Sequence, residues 1–332
     1  MQVIKFACPI CKGPLEQESE SYICARDDRS YPVTLGIPDF RVFADGLVES
    51  AVEQGWTARL VAEYSSCSFA KLVDLYASLT PGVPSDLRIK LRARCLGGVL
   101  HGQSCLTELQ HLRALPAAGQ FLEIGCGSGG FLVAASFVFR CVVGLDISMP
   151  RLILAKKQLE ETGRDATVIC ACAESVPFAS NSFHLVVDSD VIEHVKEQVQ
   201  AMREAYRVIV SGGLLFLATP NRWSLTPEPH VNVWGVGFLP RAWRARYVCL
   251  VRNIPYRNIS LLNWFEIRSL LKQTSFSRWH VVPPTLPPEH TERLPAWARF
   301  AVPIYNALKE RLLLKWLVYL FGPLFHVICV KK

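Results

Sequence analysis

Residues 121–130 read FLEIGCGSGG, and GLDIS follows at 144–148. An apolar run ends at an acid, a glycine-rich turn follows, and a second apolar run ends at another acid. This order of parts builds a nucleotide cradle between two strands. Gly125, Gly127 and Gly129 allow the backbone to turn tightly and to approach a ligand where a Cβ would collide. Asp146, at the tip of the second run, is placed to accept hydrogen bonds from ribose hydroxyls. Gly125, Gly127 and Gly130 also satisfy G-x-G-x-x-G, so the motif alone leaves a nicotinamide dinucleotide open.

Glu123 weighs against a dinucleotide. A carboxylate two residues before the first glycine would repel a pyrophosphate, whereas it suits S-adenosylmethionine, which carries an ammonium and a sulfonium and no phosphate. Downstream lie CAESVPFASNSFHLVVDSDVIEHV (172–195) and LLFLATPNR (214–222). Taken together, these segments resemble the class I S-adenosylmethionine-dependent methyltransferases, especially the small-molecule and lipid group, over roughly residues 119–276 and the last strand.

The alternation of apolar runs with helical patterns predicts an α/β fold with a mostly parallel sheet and helices on both faces. The resemblance makes it a Rossmann-like, seven-stranded sheet whose last strand inserts antiparallel between its neighbours. Strands are expected at 121–124, 141–145, 166–170, 184–188, 214–218, 279–282 and 325–330. Helices are expected at 129–139, at 150–162 with Ser148 as cap, and at 264–273.

The resemblance also implies a ligand set. Glu123 with the backbone of Gly125 and Gly127 is expected near the methionine moiety, Asp146 at the ribose and Ile147 beneath the adenine. The family places an acid–Ala–acid run before x-x-Pro-Phe, and its first acid accepts from the adenine amino group. Here that position is Cys172, a poor acceptor, which leaves the Ala173 amide to serve the ring. Asp188 opens the loop facing the methyl donor. A helix is expected to begin at 191–195, and His194 within it is the candidate base for a substrate hydroxyl, with a packing role as the alternative.

The first 43 residues form a module of their own kind. Cys8-Pro-Ile-Cys11 is a knuckle able to grip one tetrahedral zinc, and Cys24 with Asp27 supplies the remaining candidate ligands. The stretch CPICKGPLEQESESYICARDDRSYPVTLGIPDF resembles the small zinc-ribbon proteins that activate methyltransferases. A ribbon without metal, held by Tyr22, Tyr31, Pro32, Ile37 and Phe40, is the alternative. Residues 44–115 read as a helical connector or cap, broken at TPGVPSD. Arg88, Lys90, Arg92 and Arg94 would spread around such a helix as a solvated face. The methyltransferase-like domain is expected over 116–332.

Within it, residues 219–258 are rich in Pro, Trp and Gly and too long for a silent loop. They are the expected acceptor-binding lid, with Glu228 and His230 as polar groups, His230 as a second candidate catalytic residue, and Trp223, Trp234 and Phe238 as an apolar wall. Arg241, Arg244, Arg246, Arg252 and Arg257 follow, able to meet phosphates or simply solvent. The insertion 283–323 mixes aromatics with basic residues and prolines. It lacks a clean apolar stretch of about twenty residues for a bilayer span, so residues 294–325 suggest peripheral membrane contact or burial against a neighbour.

Composition bounds the remainder. The chain has 332 residues, half of them hydrophobic, which excludes global disorder. The start lacks the basic and apolar regions of a secretory signal. Twelve cysteines, many within apolar runs, suggest free thiols in a reducing compartment. A cytoplasmic protein, peripheral on the inner face of the membrane, is expected. The net charge of +7 permits an anionic acceptor or surface without requiring nucleic acid. The leading expectation is methyl transfer to an oxygen of a small, lipid-linked or glycan acceptor. An RNA methyltransferase and a non-catalytic partner protein are the alternatives.

Overall fold

The structure is a computed structural model that describes residues 5–46, 48–80, 83–112, 115, 119–284, 296–311 and 314–332. Five apolar runs form parallel strands: β5 (Gln120–Ile124), β6 (Cys141–Asp146), β7 (Thr167–Cys170), β8 (Phe183–Ser189) and β9 (Ile209–Pro220). With β10 (Arg278–Val282) and β11 (Leu324–Val330) they make one seven-stranded sheet of order β10-β11-β9-β8-β5-β6-β7. As expected, β11 runs antiparallel to both of its neighbours.

Period-two alternation sends side chains to opposite faces of the sheet. Phe121, Leu185, Val187 and Phe216 enter one core, while Leu122, Val186, Leu215 and Leu217 enter the other. The first face is covered by α1 (Ser50–Glu63), α2 (Phe69–Ser78), α3 (Ser85–Leu112), α4 (Gly130–Ala135) and α5 (Met149–Thr162). On the second lie α6 (Gln198–Val208) and α8 (Trp264–Lys272); α7 (Arg241–Arg252) lies in segment 219–258, the expected lid.

Several expected boundaries shift for identifiable reasons. Strand β9 begins five residues before 214, because Gly212 at φ +77° lets Ser-Gly-Gly form an irregularity inside the strand, where the register jumps from Phe183↔Ile209 to Leu185↔Leu214. The helix expected from 129 to 139 is shorter, Gly130–Ala135. Ser148 stands at the N-cap of α5, but its side chain makes no capping bond; the amide of Met149 is instead accepted by Glu53 Oε1 at 3.2 Å. In place of a helix at 191–195 there is a single 3-10 turn, Ile192–His194, and α6 starts only at Gln198.

The N-terminal module is a four-stranded antiparallel sheet in the order β1 (Glu16–Gln17), β2 (Ser21–Cys24), β3 (Arg29–Thr34) and β4 (Ile37–Pro38). It shares the second core: Cys8, Tyr31 and Phe40 are buried there with Phe178 and Phe183. Phe40 N donates to Cys170 O at 2.7 Å, so the chain leaving the module lies along the edge strand β7.

The long helix α3 crosses α4 closely at Gly98 and Gly102, since a Cβ on Gly130 would lie 2.5 Å from the Gly98 carbonyl carbon. Its basic run is more engaged than a solvated face would be. Arg92 pairs with Asp74 at 2.5 Å, Arg94 with Asp190, and Lys90 donates to Pro229 O, which ties the helix to the lid. Near the C-terminus lie α9 (Ala296–Glu310), with Pro303 inside it, and α10 (Lys315–Phe321). Part of the insertion, residues 285–295, lies outside the described residues. Among the described residues no helix is long and apolar enough to cross a membrane.

Candidate functional site

The glycine turn closes as β5 ends. The amides of Gly125 and Cys126 both donate to Leu145 O, at 2.7 and 2.9 Å, which locks the turn to the neighbouring strand β6. Gly125, Gly127 and Gly129 all have positive φ, at +73°, +52° and +82°. Their surroundings differ. A Cβ on Gly125 would meet Val191 Cγ2 at 2.1 Å, and one on Gly129 would meet Ala155 Cβ at 2.9 Å, whereas among the described residues nothing stands within 4 Å of one on Gly127. Two of the three glycines therefore serve packing within the protein, and the space for a ligand opens at Gly127.

Asp146 is buried, and its two oxygens accept from Gly127 N and Ser148 N, both at 2.9 Å. Burial raises its pKa, opposed by the nearby Arg151 and by those two amides. Glu123 is buried as well, and its Oε2 has no hydrogen-bond partner among the described residues. Burial, then the charge of Asp146, pushes its carboxyl well above the usual range. A buried carboxylate in this setting calls for a cation. The ammonium of S-adenosylmethionine meets that need, so the cradle fits this cofactor better than a pyrophosphate.

The segment where the resemblance places the adenine departs from expectation. Cys172 is fully buried, and its thiol faces the Phe43 carbonyl at 3.5 Å instead of an open pocket. Ala173 is buried beside it. Ile147 is held from behind: Arg41 donates to its carbonyl at 3.1 Å while pairing with Glu53 at 2.7 Å and Asp39 at 2.6 Å. Reading the sequence missed Arg41 and Glu53, because nothing local marks an arginine 106 residues from Ile147 as its partner.

Asp188 ends β8, and its Oδ1 accepts from Ile192 N at 3.2 Å, so its carboxyl braces the following turn; burial raises it to about 7. That turn carries Glu193 and His194. Glu193 is fully buried, with Oε2 accepting from the Thr219 hydroxyl at 3.0 Å. Its own carbonyl accepts from Ser260 N at 2.7 Å, a long-range bond that accounts for the short turn. The rings of His194 and His230 meet edge to face at 4.7 Å. Burial, then the charge of His230, pushes His194 down to about 3, which makes it a weak proton acceptor at neutral pH. His230 Nδ1 lies 2.5 Å from Glu228 Oε1.

The expected apolar wall is divided. Trp223 packs against Phe265 of α8 at 5.9 Å, while Trp234 and Phe238 form a separate, exposed pair at 6.2 Å. Segment 219–258 encloses a small core of its own, built on Val231, Val233, Val236, Val248, Ile254 and Tyr256. Its arginines are also dispersed. Arg244 is buried and donates to Leu239 O at 3.1 Å, Arg252 pairs with Asp86 at 2.7 Å, and Arg241 reaches Glu266 at 3.5 Å. Arg246 and Arg257 are exposed.

In the N-terminal module, Cys8, Cys11, Cys24 and Asp27 bring their donor atoms within 4.8 Å of one another. Cys11 and Cys24 sulfurs are 3.6 Å apart, and Asp27 Oδ2 lies 3.0 Å from Cys8 Sγ and 3.7 Å from Cys24 Sγ. Tetrahedral zinc with thiolate bonds of about 2.3 Å spaces its sulfurs by roughly 3.8 Å, so these residues fit the ion. The amides of Ile10 and Gly13 point at the Cys8 and Cys11 sulfurs at 3.4 Å, as in a metal knuckle.

Residues 122–217 match the family described as methyltransferase domain, and residues 6–36 match the Trm112p-like proteins. The chain carries a methyltransferase domain. Its matched segment holds the cradle, Asp188 and the turn with Glu193 and His194. A ubiquinone biosynthesis O-methyltransferase of Parvibaculum lavamentivorans is 30% identical over 127 residues, covering 37% of this chain and 49% of that protein. One from a Methylobacterium species is 37% identical over 108 residues, covering 32% and 43%. The chain thus spans about half or less of these relatives. A solved phosphoethanolamine N-methyltransferase of Haemonchus contortus, in complex with S-adenosyl-L-methionine, aligns with TM-score 0.48 at 20% identity, over 76% of this chain and 61% of that one.

Proposed function

We propose that this protein transfers the methyl group of S-adenosylmethionine to an oxygen of a small or lipid-linked acceptor. The observation that carries the donor is Glu123, a buried carboxyl with an oxygen that has no partner among the described residues, beside a glycine turn that is open at Gly127. Glu123 would hold the ammonium, Asp146 the ribose hydroxyls, and Ile147 with Ala173 the adenine. Asp188 would shape the loop that faces the donor. Bound there, the cofactor supplies an electrophilic methyl on a sulfonium. The protein's part is to hold the acceptor oxygen in line and exclude water, which supplies much of the rate in such a transfer.

The acceptor side is the face where the turn 192–194 meets the lid, since open parallel sheets place ligands beyond the carboxyl ends of their strands. Oxygen as the methylated atom is supported by the two O-methyltransferase relatives. The module at the N-terminus would hold a structural zinc through Cys8, Cys11, Cys24 and Asp27. Exposed Ile304, Leu314 and Trp316 near the C-terminus support peripheral contact with a lipid surface, where an apolar acceptor would be presented.

Calorimetry with S-adenosylmethionine tests the donor. Binding is expected, and Asp146→Ala should weaken it at least tenfold; folded protein that shows no binding at millimolar cofactor would refute the assignment. Labelled methyl transfer into whole extract, separated into lipid, glycan and RNA fractions, tests the acceptor. Label confined to RNA would redirect it.

A further inference from the structure

A second cluster of ligating side chains stands beside the cradle, and donor binding makes no use of it. Glu193, His194 and His230 bring a carboxylate oxygen and two ring nitrogens within 4.8 Å of one another. Glu193 is fully buried, and its Oε1 has no hydrogen-bond partner among the described residues. The Thr219 hydroxyl holds Oε2 at 3.0 Å and so fixes the direction of the free oxygen. That oxygen lies 3.8 Å from His230 Nε2, too far for a hydrogen bond. His194 Nδ1 is also buried and has no partner among the described residues. Buried polar atoms are nearly always satisfied, so two orphans on residues of one cluster need a partner.

The surroundings indicate what that partner is. A metal-bound histidine characteristically gives its other ring nitrogen to a carboxylate, which sets tautomer and orientation. His230 has this arrangement through Glu228 Oε1 at 2.5 Å, and the amides of His230 and Val231 hold Glu228 Oε2 at 3.0 Å each. With the proton on Nδ1, the Nε2 lone pair is free on the side of Glu193.

We propose that Glu193, His194 and His230 bind a divalent first-row transition cation, and that its open coordination positions take the acceptor oxygen. Two imidazoles and one carboxylate are a donor set for such ions. Bonds of about 2.1 Å would draw the donors to roughly 3 to 3.5 Å from one another, a side-chain movement on the order of 1 Å. Val191, two residues before Glu193, packs directly over Gly125, so the cluster adjoins the methionine end of the cradle. A cation there lowers the pKa of a bound acceptor hydroxyl, whose proton leaves to water. The O–CH3 bond then forms as the S–CH3 bond breaks, and the electron pair stays on sulfur. This role rests on the methyl-transfer reading; the cation site itself does not.

The test adds Co2+ to the full chain with its cysteine site already filled with zinc. Cobalt among thiolates gives an intense charge-transfer band, whereas cobalt held by histidine and glutamate shows only weak visible bands. One further equivalent is expected, without charge transfer. It should be lost in His230→Ala and Glu193→Gln, and Glu228→Gln should bind it about 10- to 100-fold more weakly. Wild-type protein that takes up no further cobalt, or His230→Ala that retains it, would overturn the site. Should the ligand variants not fold, unchanged cobalt affinity in Glu228→Gln would overturn it equally. Calorimetry with S-adenosylmethionine on the same samples separates the two proposals, because loss of cofactor binding with cobalt intact would remove the methyl-transfer reading alone.

Discussion

Gly125, Gly127 and Gly129 share one motif and one region of backbone space, yet the structure gives them different work. A methyl on Gly125 would strike Val191, whereas one on Gly127 meets nothing. Gly125→Ala should therefore cost stability by about 3 kcal/mol, from overpacking added to positive-φ strain. Gly127→Ala should cost only about 1 to 2 kcal/mol in the folded protein while still weakening cofactor binding. Urea unfolding with calorimetry on both variants measures this; equal stability losses would contradict the division.

Glu123 yields a pH prediction at the same scale. Burial raises its pKa in the free protein, so it carries a proton above the ordinary glutamate range; an ammonium beside it favours the ionised form. Cofactor binding should then release a proton and tighten as pH rises through that window. Calorimetry in buffers of different ionisation enthalpy reads the release, which should vanish in Glu123→Gln. Uptake of a proton would contradict the assignment. The acid and the glycines were legible because the motif spans eight residues. Arg41 and Glu53 were not, because their contacts with the cradle exist only after distant segments pack.

Among the elements, the segment joining the N-terminal module to α1 matters most to the cradle. Arg41 ties Asp39, Glu53 and the Ile147 carbonyl together, and Glu53 in turn accepts from Met149 N at the start of α5. Arg41→Ala would leave Glu53 buried without its cation. That should destabilise the protein by about 2 to 4 kcal/mol and weaken cofactor binding several-fold. Thermal melts and calorimetry check both, and an unchanged melt would show that the clamp is not structural. Sheet strands were legible from their apolar runs, since both faces are covered. Ser-Gly-Gly at 211–213 reads locally as a turn, and only pairing with β8 draws it into β9. The 3-10 turn after β8 was likewise set from outside, by Ser260 and by Gln198, whose side chain donates to Ile192 O at 2.9 Å.

At the scale of the molecule, the N-terminal sheet shares its core with the larger one. Phe6, Phe40, Phe178 and Phe183 form a continuous aromatic run across the junction, and Lys12 pairs with Glu204 of α6 at 2.8 Å. Removing residues 1–43 should uncover this apolar surface and leave a chain that aggregates or melts without cooperativity. A truncated protein with the full-length melting temperature would show that the core is not shared. Chelating zinc from the cysteine site should lower the melting temperature of the whole chain in one transition, as scanning calorimetry would reveal; a separate low-temperature step would mark an independent module.

The sequence alone determined the doubly covered parallel sheet, the glycine cradle and the cysteine knuckle. Each rests on residues close together in the chain, where periodicity, turn chemistry and ligand spacing act. Tertiary structure decided which glycine borders open space, what fills the space beside Cys172, and that Glu193, His194 and His230 come together. Those are contacts between segments tens of residues apart, and steric fit and burial exist only once the chain has packed. The cradle was thus written locally, while its clamp and the neighbouring cation cluster were assembled by the fold.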